Sequence, residues 1–142
     1  MTGSDSRFAD AVQENVRFWM EQLAPPTPSA PAEIVQELPN MLQAVRYGLA
    51  LSRTQSEAAR LLVRMHRSAE RAGWWQQWLA LSEAALQAGN PGEWRIRARV
   101  LNGRGVLLRH CDLRDEALAD HRMAGELAKK HGDELLWAQS QH

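Results

Sequence analysis

Apolar residues recur three or four positions apart in one segment of this chain after another. In the first segment, Phe8, Val12, Val16, Trp19 and Leu23 follow one another at steps of four, four, three and four. An α-helix turns once in about 3.6 residues, so this spacing places all five side chains on one helical face. The pattern therefore predicts amphipathic helices that bury one side each.

The aliphatic composition favours the same structure. The 142 residues include 21 Ala and 18 Leu but only 7 Val and 2 Ile. Alanine and leucine are strong helix formers, whereas β-branched residues favour strands. We expect an all-α fold of about seven helices, in one domain or a short helical array.

Charge and cysteine content limit the class of partner and the compartment. Seventeen Lys and Arg balance 17 Asp and Glu, so direct nucleic-acid binding through overall charge is not expected. The single cysteine excludes an internal disulfide and a thiolate zinc site. The N-terminus has no signal-peptide pattern, and no apolar stretch has the length of a membrane span. We expect a cytoplasmic protein with no membrane contact.

A proline-rich segment marks the expected domain organisation. Four of the six prolines lie in Pro25–Pro31, and such segments are stiff and extended. The prediction is an N-terminal amphipathic helix at 1–24, a linker at 25–32 and a helical domain at 33–142. Pro39 should kink or restart the first helix of that domain, because proline lacks the amide hydrogen.

Helix start and stop signals divide the rest of the chain. Thr54 and Glu57 fit a capping box at a helix start. Gly73 suits a left-handed helix stop, and Asp112 and Asp133 suit helix N-caps. The connections between the expected helices are short, which makes neighbouring helices antiparallel.

The signals delimit two helical hairpins, at 54–88 and 91–131, and an incomplete repeat at 133–142. A shift of 43 residues aligns four identical pairs: Glu83 with Glu126, Ala85 with Ala128, Gly89 with Gly132, and Trp94 with Trp137. A single hairpin cannot bury both of its apolar faces, so we expect neighbouring hairpins to stack.

The second hairpin resembles a tetratricopeptide repeat. The small residues Gly105 and Ala117 occupy positions where the two helices of such a repeat approach closely. The chain has Arg104, Leu108 and His121 where the family pattern usually has leucine, tyrosine and phenylalanine. The resemblance implies antiparallel hairpins stacked as a right-handed solenoid.

A narrower resemblance lies in the phrase EALADHRMAGELAKKHGD at 116–133. It is similar to the helical repeats that follow the nucleotide-binding module in bacterial STAND regulators of the SARP/LuxR type. Residues 36–51 are similar to the helix that often precedes those repeats. The resemblance implies a non-enzymatic scaffold for protein binding in signalling or transcription regulation. The alternative is a sensor segment of such a regulator, which binds an inducer or clamps an ATPase domain.

Arginine is concentrated in the first helix of each hairpin. Residues 53–71 hold five arginines against two acids, and 92–114 hold six against two. In tetratricopeptide-like solenoids the first helices line the concave surface, so the resemblance implies a basic groove for a protein or an acidic peptide. Arg67, Arg99 and Arg109 would bind carboxylates, and Asn102 a partner's backbone. The whole expected groove consists of His66, Arg67, Arg99, Asn102, Arg109 and His110.

The alternative for these charges is a solvated face with local pairs such as Glu57 with Arg60 and Arg67 with Glu70. Trp74 is either packed on the expected helix at 33–51 or part of an exposed hydrophobic patch. Trp137 lies in a final segment without a partner helix, which predicts a C-terminal edge that another repeat or a second copy covers.

No residue set predicts catalysis, a cofactor or a metal. Residues 110–112 combine His, Cys and Asp, but adjacent side chains point in different directions, so a plain turn is the simpler interpretation. The glycines of Asn102–Gly105 fall inside a helix and so favour packing over phosphate binding. His121 lies on the apolar stripe and is expected to be a core histidine.

Overall fold

The computed structural model describes residues 3–23, 31–88 and 93–141, and the regular structure in these ranges is entirely helical. This confirms the all-α class. No helix in these ranges combines the length and apolar character needed to cross a membrane. The eight helices described are α1 (Gly3–Gln22), α2 (Pro31–Leu49), α3 (Gln55–Arg64), α4 (His66–Ala72), α5 (Trp75–Gln87), α6 (Trp94–His110), α7 (Arg114–Lys130) and α8 (Glu134–Gln139).

Helix α1 packs against α2 and α3. Its residues Val12 and Val16 are buried in the same apolar cluster as residues of the next five helices, α2 to α6. The predicted linker falls largely on residues 24–30, which lie outside the described residues. Helix α2 begins at Pro31 and runs through Pro39 without interruption, so the helix does not restart there, and the alternative of a kink at Pro39 stays a prediction. Pro39 is exposed on this helix.

Gly48 lies where the first three helices meet. A Cβ atom placed on it would be 2.6 Å from Cβ of Ala58 in α3 and 3.2 Å from Cγ2 of Val16 in α1. Both distances are shorter than normal carbon contacts. The absence of a side chain at Gly48 therefore permits this close approach.

The later helices form two antiparallel pairs and a short final helix. Helices α3 and α4 are separated only by Met65 and together form the first member of one pair, with α5 as the second. Helix α6 pairs with α7 and also contacts α3 and α5, while α8 packs on α7 and α6. The starts of α3 and α6, and those of α5 and α7, are each 39 residues apart. The 43-residue shift seen in the sequence therefore does not align the helix starts.

Left-handed residues end three of these helices. Gly73 and Gly132 have φ angles of 78° and 73°, as predicted for Gly73. Asp112 occupies the same position after α6 with φ of 62°, and the amide of Leu113 donates to the carbonyl of Leu108 at 2.9 Å. The prediction of Asp112 as an N-cap is therefore wrong, because this residue closes α6 instead of starting α7.

The predicted capping box is also wrong, because both side chains have other partners. The hydroxyl of Thr54 donates to the carbonyl of Gly48 at 2.7 Å, which satisfies the end of α2 instead of the start of α3. Glu57 accepts from the guanidinium of Arg17 at 3.0 Å, which lowers the pKa of the Glu57 carboxyl. The predicted cap at Asp133 is confirmed, since its carboxylate accepts from the amide of Leu136.

Replacing Gly48 by alanine should lower the free energy of unfolding by about 1–3 kcal/mol, because the added carbon overpacks the junction of three helices. Glycine to alanine within an unhindered helix would instead stabilise by about 0.5–1 kcal/mol. Urea unfolding followed by circular dichroism would measure the change. Gln43→Ala, at an exposed position of α2, is the matched control. A Gly48→Ala variant as stable as the parent would contradict this packing.

Candidate functional site

A groove between α3 and α6 collects four arginines. Arg60 and Arg64 extend from α3, one turn apart, and Arg95 and Arg99 extend from α6 with the same spacing. The groove has a volume of about 330 Å³. We call it the arginine groove, and its lining is Arg60, Val63, Arg64, Glu93, Trp94, Arg95, Ile96 and Arg99.

Both arginines of α3 have partners in the fold. Arg60 lies 3.7 Å from the carboxylate of Glu93, and Arg64 donates to the main-chain carbonyl of Met20 at 3.2 Å. The side chain of Arg60 remains about half exposed. Glu93 is the one acidic residue of the lining, and Asp133 pairs with Arg95 from outside it, so the four arginines keep an excess of positive charge in the groove.

The two arginines of α6 differ from each other. Arg95 lies over the ring of Trp94, 4.9 Å from its centroid, and 3.4 Å from the carboxylate of Asp133. Arg99 is exposed and forms neither a hydrogen bond nor an ion pair with another described residue. Arg99 is therefore the cation in this groove that is most available to an anion.

Apolar side chains lie between the charged groups. Val63, Trp94 and Ile96 line the groove, and each is half-buried. The ring of Trp94 also stacks on the ring of His131, with 4.2 Å between the centroids, and this contact holds it in place. A groove of this kind can bind carboxylates through arginine and cover an aliphatic or aromatic side chain at the same time.

Two of the predicted groove residues lie inside the helix packing. The Nε2–H of His66 donates to the carbonyl of Gly103 at 2.9 Å, and its ring meets Trp78 edge-on. The Oδ1 atom of Asn102 lies 3.0 Å from Nδ1 of His121, and its amide nitrogen is buried. Both side chains join helices in this structure and do not line the arginine groove.

His121 is 3% exposed, which confirms its interpretation as a core histidine. A Cβ atom on Gly105 would lie 2.6 Å from its ring, so glycine lets α6 and α7 approach as expected. Beside this contact, the half-buried guanidinium of Arg104 donates to both carboxylate oxygens of Asp120 at 2.7 Å. That pair raises the pKa of Arg104 and ties α6 to α7.

The other predicted groove residues lie on the surface. Arg67 and Arg109 are exposed, but neither lines the arginine groove. His110 stacks on Trp75 at 4.8 Å between ring centroids and lies 2.8 Å from a carboxylate oxygen of Glu70. The local pair predicted between Arg67 and Glu70 is thus replaced by a contact from α4 to α6.

The two tryptophans singled out as hydrophobic contacts differ in burial. Trp74 is half-buried and packs against the first apolar cluster. Trp137 is 42% exposed, and its neighbour Leu135 is 71% exposed, whereas Leu136 is buried against α7. Only Leu136 of this trio is a core residue, so the match of Trp137 with Trp94 did not predict its burial.

The groove also contains three arginines that were not predicted from the sequence, Arg60, Arg64 and Arg95. Their signal is a four-residue spacing, from Arg60 to Arg64 on α3 and from Arg95 to Arg99 on α6. Among the described residues no three His, Cys, Asp or Glu side chains gather as a metal site would require.

The packing of His66 predicts a pH dependence of stability. Burial lowers its pKa below the ordinary 6.5, because the charged ring loses solvation between α4 and α6. The folded state thus prefers the neutral ring. The contribution of the neutral His66 ring to the free energy of unfolding is complete above about pH 6.5. It is lost as the pH falls through the lowered pKa of His66 in the folded state.

We expect unfolding free energies measured between about pH 7 and pH 5.5 to fall more steeply for the parent than for His66→Gln. Glutamine can still donate to the carbonyl of Gly103, so the variant tests titration more than hydrogen bonding. Gln87→Ala, at an exposed position of α5, is the control for substitution itself and should keep the parent's slope. Equal slopes for the parent and His66→Gln would overturn the prediction.

No protein-family model, curated protein or solved structure matches the chain.

Proposed function

We propose that this chain is a non-enzymatic protein-interaction module, which holds an acidic peptide or an acidic segment of a partner protein in the arginine groove. The observation that carries the proposal is the convergence of Arg60, Arg64, Arg95 and Arg99 on an apolar floor between α3 and α6. Arginine binds carboxylates through paired, charge-assisted hydrogen bonds, and the floor would cover an apolar side chain between them.

The contacts between helices support a tetratricopeptide-like arrangement for this module. The first helices of successive pairs contact one another, from α1 to α3, from α3 to α6 and from α6 to α8. Each second helix also contacts the next first helix, as α2 does with α3 and α5 with α6. Stacked helical hairpins have this contact pattern, and their first helices form a continuous binding surface.

The charge distribution of the whole chain favours binding of an acidic partner at a specific site over non-specific electrostatic attraction. The chain has no net charge, so a distant acidic protein experiences little overall attraction. Arg67 and Arg109 add positive charge on α4 and α6 beyond the groove. In this proposal they assist association, while the four groove arginines make the direct contacts.

Replacing Arg64 and Arg99 together by glutamate should weaken binding of an acidic peptide by at least about tenfold per residue, since each charge-assisted hydrogen bond contributes about 1.5–3 kcal/mol. A short fluorescent peptide that alternates Glu and Leu is a suitable probe, measured by fluorescence anisotropy. Stability should change little, because exposed charge pairs contribute only about 0–1 kcal/mol each.

The control for this experiment is the double variant Arg7→Glu and Arg46→Glu, which changes net charge equally at exposed positions of α1 and α2. It should keep most of the affinity. The pair Arg67→Glu and Arg109→Glu should give an intermediate loss, mainly at low salt. Equal losses of affinity in all three double variants would show that the peptide is attracted by charge in general and not bound in the groove. If the parent protein does not bind the peptide, the proposal is refuted for this peptide chemistry.

A further inference from the structure

A second, smaller cavity lies where the ends of α2 and α5 meet the starts of α3 and α6. Its volume is about 90 Å³. Most of its wall is apolar and comes from Leu49, Ala59, Ala85, Leu86, Ile96 and Val100. A water molecule needs about 10–15 Å³ by such a measure, so the space has room for roughly six to nine waters or a small organic molecule.

One basic side chain faces this cavity. Arg97 is half-buried, and its Nη1 donates to the main-chain carbonyl of Leu86 at 2.9 Å. This hydrogen bond fixes the guanidinium and leaves its other N–H groups available for an acceptor. No carboxylate among the described residues forms an ion pair with Arg97. A half-buried cation without an anionic partner is costly unless an anion joins it.

Two helices also begin beside the cavity. Gln55 and Ser56, in the first turn of α3, line it, as do Ile96 and Arg97 in the first turn of α6. Neither helix start is capped by a side chain of its N-cap residue. The start of α6, which has no acidic residue in its first turn, therefore adds positive potential beside Arg97. At the start of α3 the carboxylates of Glu57 and Glu93 offset this potential.

Glu93 is the acidic residue of the lining, and its charge is already engaged. Its carboxylate accepts from the hydroxyl of Ser56 at 3.0 Å and lies 3.7 Å from Arg60. These contacts hold the carboxylate at the boundary between this cavity and the arginine groove, since both are lined by Glu93 and Ile96. Arg97 is the basic side chain of this lining, while Arg60 faces the groove.

We propose that this cavity binds a small aliphatic monocarboxylate. The carboxylate contacts the guanidinium of Arg97, and the hydrocarbon tail lies on the wall formed by Ala59, Ala85 and Val100. Butanoate has six non-hydrogen atoms, so it fits within a space that has room for roughly six to nine waters. The site does not depend on peptide binding in the arginine groove, because Arg97 does not line that groove.

Titration with sodium butanoate, followed by calorimetry and by amide NMR of the full chain, tests the proposal. We expect saturable binding, with shift changes centred on Leu86, Arg97 and the first turn of α3. Butanamide, which has the same tail without the charge, should bind at least about tenfold more weakly, since a charged hydrogen bond is lost. Saturable butanoate binding with shifts elsewhere in the molecule would overturn the assignment.

Two variants separate the roles of charge and space. Arg97→Gln should weaken butanoate binding at least about tenfold, whereas Arg99→Gln, in the arginine groove, should not change it. Ala85→Leu should fill the cavity and abolish binding while Arg97 remains. If Ala85→Leu does not fold, the affinity of Arg97→Gln for butanoate alone tests the proposal. Failure of the parent to bind butanoate, or equal affinity in Arg97→Gln, would overturn the proposal without affecting peptide binding.

Discussion

The contact of His66 and Trp78 with Gly103 joins the two helical pairs of this protein. The indole of Trp78 is fully buried, and its Nε1 donates to the carbonyl of Leu62 at 2.9 Å. A Cβ atom on Gly103 would lie 2.8 Å from both His66 and Trp78. Only glycine lets the backbone of α6 come this near to α4 and α5. The same helix α6 contacts α3, and the arginine groove lies between these two helices.

Glycines act in the same way at two further junctions. Gly48 brings α2 against α3, and Gly105 brings α6 against α7. Helices with small residues at their contacts can pack closely with few large side chains between them. The many alanines of the core have the same effect, with Ala58, Ala69, Ala98 and Ala124 all fully buried.

Charged side chains in this protein form most of their contacts between helices. Arg17 binds Glu57, Arg95 binds Asp133 and His110 contacts Glu70, each across about 40 residues of sequence. Such exposed pairs contribute little stability individually. Arg97 and Arg99, by contrast, have no carboxylate partner among the described residues.

The sequence determined the helical class, the helix stop at Gly73 and the cap at Asp133, because these depend on spacing and on backbone preferences of single residues. It did not determine that Thr54 and Glu57 would bind other helices, since a side chain takes the best partner available after packing. Within a helix, the period of about 3.6 residues sets which residues share a face. Which of these faces meets a neighbouring helix depends on the packing of the helices. In this packing His66 and Asn102 lie between helices and form contacts there. Tertiary structure alone brought Arg60 and Arg64 opposite Arg95 and Arg99, because no local rule relates residues on different helices.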